Sequence, residues 1–129
     1  MITTDKKRIS DLHADHRQWL SDASFYADEL KVFQKRLNEV AQKNTGAAVA
    51  GQVGHFQNQL IIQKEQLDIL NHQVREHEQF LAGFAEAHPV AIDHQLFANH
   101  NSMLDKMDMY KKLYTQLKDE FNQFLSRAM

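Results

Sequence analysis

Residues 56–84, FQNQLIIQKEQLDILNHQVREHEQFLAGF, carry an unbroken pattern: Phe56, Leu60, Gln63, Leu67, Leu70, Val74, His77, Leu81 and Phe84 follow one another at alternating steps of four and three. Seven residues for two turns is the seam of a helix that packs along its whole length against neighbours at a shallow angle. A strand requires a period of two, and the stretch contains none. The same steps run back through Val53 and Val49.

Outward from this helix, punctuation is sparse. Asn44-Thr45-Gly46 reads as a turn, since Asn and Gly tolerate positive φ and Thr45 is able to start a helix. Ala87-His88-Pro89 is the second break, because proline cannot continue a helix and restricts the residue before it. Three helices follow, over roughly 9–44, 47–87 and 90–127, each about 55–60 Å long at about 1.5 Å per residue. The first has the seam Leu12, His16, Trp19, Ala23, Tyr26, Leu30, Phe33, Leu37 and Val40; the third has Leu96, His100, Met103, Met107, Tyr110, Tyr114, Leu117, Phe121 and Phe124. Short connections force antiparallel neighbours, so the expected fold is all-α: an antiparallel up-down-up bundle of three long helices, forming one domain over 1–129. Gly51 and Gly54 weaken the start of the second helix, by about 1 kcal/mol each against alanine.

The composition limits the chemistry. At 129 residues, with 43% hydrophobic and 25% charged residues, the chain suits a single globular domain. Lys plus Arg is 15 against 17 for Asp plus Glu, which gives a formal charge of −2 and no basic excess for a nucleic acid. The absence of cysteine removes disulfides, thiolate catalysis and thiolate-held metals. No apolar run is long enough for a membrane span. Met1-Ile2-Thr3-Thr4-Asp5-Lys6-Lys7-Arg8 leads into no apolar signal region, so a cytoplasmic location is expected. Gly51-x-x-Gly54 is too short for a phosphate loop, and the serines lack a nucleophile-elbow context.

Folding about the two turns aligns the polar interruptions of the seams. Facing positions in the first and second helices have numbers summing to about 90, and those in the second and third to about 177. The second rule sets His77 opposite His100; the first sets it opposite position 13, with His16 a turn away. His13, His16, His77 and His100 are therefore the candidate ligands of one divalent transition metal such as zinc, iron or copper. Among Asp15, Glu76 and Glu78, Glu78 is nearest the seam edge and suits a ligand or an outer acceptor. Two other uses fit the same residues: a hydrogen-bonded layer that fixes register, and a proton-sensitive layer. The same arithmetic brings Tyr26, Gln63 and Tyr114 into a second polar layer. His72 falls on the opposite side of its helix and pairs with Glu76 at i, i+4; His88 and His94 surround the Pro89 turn. His55 flanks the seam, within reach of Glu29, Arg36 or Gln59.

Known helical metal sites compare as follows. Ferritin-like di-iron bundles need Glu-x-x-His motifs, and none occurs here. His72-x3-Glu76 and His100-x4-Asp105 resemble two motifs of hemerythrin-like bundles, but the His-x3-His element and a fourth helix are missing and His72 faces away, so that family's oxygen chemistry is not carried over. Trp19, Phe25-Tyr26-x-x-Glu29-Leu30, Arg36-Leu37-x-Glu39-Val40, His55-Phe56-Gln57-Asn58-Gln59 and Leu70-x-His72 together resemble a family of small, uncharacterised all-helical bacterial proteins. That resemblance implies a bacterial three-helix bundle and assigns no activity or catalytic residue.

Finally, Phe25, Val32, Ile61, Ile62, Ile69, Phe80, Leu113 and Leu125 lie outside the seams and cannot all enter one three-helix core. A homodimer of two-fold symmetry or a protein partner is expected to cover them; a curved bundle covering them internally is the alternative. The sequence thus reads as a non-enzymatic bundle acting through association, with a histidine-based metal protein of redox or hydrolytic role as the alternative.

Overall fold

The computed structural model describes residues 9–44, 46–87 and 94–128. They form α1 (Ile9–Lys43), α2 (Ala47–Ala87) and α3 (His94–Ala128). The described residues contain no strand, and α2 runs without a break through Gly51 and Gly54. The expected start of the third helix at 90, most of the Pro89 turn and the N-terminal segment fall outside the described residues. No described helix is long and apolar enough to cross a membrane.

The seams form the core. Every seam position whose side chain is described is buried or half-buried, from Leu12 to Val40, Val49 to Leu81 and His100 to Phe124. The reason is the one behind the pattern: a four-three repeat keeps one stripe on the inner face of a gently supercoiled helix. Each fully buried leucine, such as Leu37 or Leu67, contributes about 1.5–3 kcal/mol through the apolar surface it removes from water. The helices run up, down and up. Three contacts between α1 and α3, and a fourth from Asn44 just past the end of α1, have nearly constant separations of 84–89 residues: Asp15–His100, Glu29–Tyr114, Glu29–Lys118 and Asn44–Ala128. A constant difference marks two parallel helices in fixed register.

Along the axis the core falls into three zones. Beside the α1–α2 turn, Phe56 packs on Phe121 and Phe124 at centroid distances of 5.4 and 5.0 Å, and Phe33 on Phe121 at 5.2 Å. The middle holds Tyr26, Tyr110 and Tyr114. Tyr26 and Tyr114 are 4.5 Å apart, as the aligned polar layer requires. Tyr114 donates to Glu29 Oε1 at 2.6 Å, and Tyr110 donates to the Gln63 carbonyl at 3.2 Å. Gln63 thus serves the layer through its backbone, while its buried side-chain oxygen has no partner. The histidines form the third zone, towards the far end of α2.

Two details differ from expectation. The α1–α2 turn uses no positive φ among the described residues. Asn44 instead acts through its side chain: Nδ2 donates to the carbonyls of Val40 and Ala128, both at 3.1 Å. The Val40 carbonyl also accepts the Asn44 backbone N–H at 3.0 Å, so the side chain's distinctive bond is the one to Ala128, which caps the end of α3 and ties it to the end of α1. In the apolar wing, Phe25, Val32, Ile61, Ile62, Ile69, Phe80 and Leu113 are 46–54% exposed, which removes the alternative of internal cover. Leu125 is the exception: it is half-buried and packed on the core, next to the tie that draws this end of α3 inward.

Candidate metal centre

His16, His77 and His100 meet in one cross-section, one from each helix. Their ring centroids are 4.8 Å (His16–His77), 5.1 Å (His16–His100) and 5.7 Å (His77–His100) apart. His16 and His100 are 0% and 1% exposed, and His77 is half-buried. The expected pairing of His77 with His100 is present. On the α1 side the residue opposite is His16 rather than position 13. At this level the facing numbers sum to 93, and three residues carry the pairing from the off-seam His13 to the seam residue His16.

His13 stands at the rim. Its side chain is 47% exposed, and its Nδ1 contacts Glu78 Oε2. The other oxygen of the same carboxylate accepts from His16 Nδ1 at 2.6 Å. On the opposite side Asp15 Oδ2 accepts from His100 Nε2 at 2.9 Å. Glu78 and Asp15 therefore hold two of the three rings from outside. Glu76 is not part of the layer and meets His72 at 3.2 Å on the surface, the i, i+4 pair expected there. His55 is exposed and lies against Phe56 at 5.0 Å, with no hydrogen bond to Glu29, Arg36 or Gln59 among the described residues. Glu29 is committed to Tyr114 and Lys118 instead.

These bonds fix the chemistry of the layer. An ionised carboxylate only accepts, so His16 Nδ1 and His100 Nε2 each carry a hydrogen. In the neutral rings this leaves lone pairs on His16 Nε2 and His100 Nδ1. His77 is held uncharged: its pKa falls from 6.5 to about 4, first through burial and then through repulsion from His16 and His100, with Glu78 opposing in part. His16 Nε2 and His77 Nε2 are buried without a hydrogen-bond partner in the structure. With its Nδ1 hydrogen committed to Glu78, His16 presents the lone pair of Nε2 to the layer, which a cation satisfies and another acceptor does not.

The size of the layer is compatible with such an ion. One ring nitrogen from each histidine lies within 4.8 Å of those of the others. The centre of a triangle of that side is about 2.8 Å from each corner, against about 2.0–2.1 Å for a zinc–imidazole bond. Each ring needs an inward movement of about 0.7 Å, within the reach of small side-chain rotations. The carboxylate–histidine pairs are the outer arrangement that metal-binding histidines ordinarily have. Trp19 closes the α1 side, stacked on His100 at 4.9 Å and 26° and lying 5.5 Å from His16. The seam places Trp19 in the core. Its contact with the histidines was not legible, because ring stacking depends on rotamers that spacing does not specify. No family model, curated protein or solved structure matches the chain, so neither resemblance noted in the sequence is carried further and the layer is read from its own geometry.

Proposed function

We propose that the protein binds one divalent transition metal ion through His16, His77 and His100, with Glu78 and Asp15 orienting the rings. The observation that carries this reading is the meeting of three imidazoles in one cross-section with their ring nitrogens within 4.8 Å, two of the rings backed by carboxylates. Imidazole ligands suit zinc, copper, nickel and iron and are poor ligands for magnesium or calcium. Two carboxylates beside the rings also balance the ion's double charge. His13 belongs to the rim, and its loss leaves the stoichiometry unchanged.

The test is metal content of untagged protein, before and after reconstitution with zinc, iron or copper. One equivalent in the parent chain and background in His77→Ala is the expected result. No retained metal after reconstitution, in a protein that is folded by circular dichroism, rejects the reading and leaves a layer that serves register alone.

A second reading concerns assembly and is supported by the exposed wing. Phe25 and Val32 on α1 and Ile61, Ile62 and Ile69 on α2 are each about half exposed, apolar surface that an isolated bundle leaves to water. We infer that a second copy covers it by two-fold symmetry. Light scattering is expected to give twice the 15.0 kDa chain mass, and a monomer at high concentration rejects the inference.

A further inference from the structure

Next to the histidine layer, α2 and α3 part to leave a cleft of about 400 Å³. His77 lines this cleft and also belongs to the triad. It is the half-buried member; His16 and His100 are closed off, and Trp19 covers them from α1. The cleft is therefore the side on which the His77 ring meets solvent. Its volume exceeds the share of a single water, about 30 Å³, by an order of magnitude.

The rest of its lining has a definite polarity. Lys106 reaches it from α3 and makes no ion pair among the described residues. Ser102, one turn earlier on the same face, adds a hydroxyl, and Gln73 adds an amide from α2. The single lining carboxylate, Glu76, is engaged with His72 at 3.2 Å. Phe80, Asn99 and Met103 complete the lining, so Lys106 is its one lysine or arginine beside an imidazole of the metal layer.

Building on the metal reading, we propose that this cleft admits a small carboxylate anion to the ion's remaining coordination position, with Lys106 and Ser102 holding the anion's polar end. Three protein ligands with an open fourth position are the pattern of metal sites that take up water or a small ligand. The cleft supplies both access and charge complementarity to an anion. A neutral ligand of the same size gains nothing from Lys106.

Cobalt(II)-loaded full-length protein provides the test, because its visible absorption changes when a ligand enters the coordination sphere. Acetate, titrated at constant ionic strength, is expected to change the spectrum in a saturable way. Lys106→Ala is expected to raise the apparent Kd about fivefold, the upper end for one exposed charge, with cobalt content unchanged; Lys106→Arg restores most of the affinity. Lys106 is exposed, so the substitution leaves the core intact. Bound cobalt whose spectrum ignores acetate overturns the cleft proposal and leaves the metal reading standing. An acetate affinity unaltered in Lys106→Ala overturns the assignment of this cleft. Failure to bind cobalt at all overturns both.

Discussion

At the scale of single residues, His77 combines two opposing requirements. Metal binding needs it neutral, and its surroundings make it so by holding its pKa at about 4, below the ordinary 6.5. Between those values the unfolded chain takes up a proton that the folded chain refuses. Stability of the metal-free protein therefore falls as the pH is lowered from 6.5 towards 4, and above 6.5 this contribution is constant. One such group gives a slope of at most about 1.4 kcal/mol per pH unit. Urea midpoints measured across this range, compared between the parent chain and His77→Gln, are expected to show the dependence weakened in the variant. Glu78 is the second informative residue, because one carboxylate serves both His13 and His16. Glu78→Gln is expected to weaken metal affinity by about 10–100-fold, read by competition with a chelator, while leaving the helical content intact. The sequence pointed to Glu78 by its nearness to the seam. Asp15 was one nearby carboxylate among several, since its partner His100 comes from a helix 85 residues away.

At the scale of the helix, legibility followed the strength of the pattern. The seam of α2 named its inner face because each of its described members had to share one stripe, and Leu60, Leu67 and Val74 are 3%, 2% and 1% exposed. The turn at Asn44 was located correctly but not its construction: spacing marks where a helix stops, while a side chain reaching Ala128 depends on three-dimensional closure. The pairing of α1 with α2 was off by three residues at His16, because an alignment carried out from a turn accumulates error with distance from it. Glycine positions give a cleaner expectation. Gly51 and Gly54 lie within α2, have no positive φ, and have open space where a Cβ would stand. Gly51→Ala and Gly54→Ala are each expected to stabilise the fold by about 0.5–1 kcal/mol, measured by chemical denaturation.

For the whole molecule, an ion held by all three helices couples binding to folding. Only the folded chain brings His16, His77 and His100 together, so metal shifts the folding equilibrium by mass action. With free metal at 100 times Kd the gain is about 2.7 kcal/mol, which raises Tm by about 10 °C for a chain of 129 residues. Differential scanning calorimetry with and without zinc measures it, and His77→Ala is expected to show no shift.

The zoning of the core along its axis gives the bundle a direction. At one end phenylalanines pack around Phe121, and Asn44 ties two helix termini together; at the other, three imidazoles face one another in place of apolar packing. Local opening in a helical rod begins where the interior is least cohesive, so amide hydrogens report a gradient rather than a uniform protection. In the metal-free protein at pH 5, exchange is expected to be fastest around residues 16, 77 and 100 and slowest around 33, 56 and 121. Metal is expected to remove the gradient from one end only, turning a rod that unzips into one that melts as a unit.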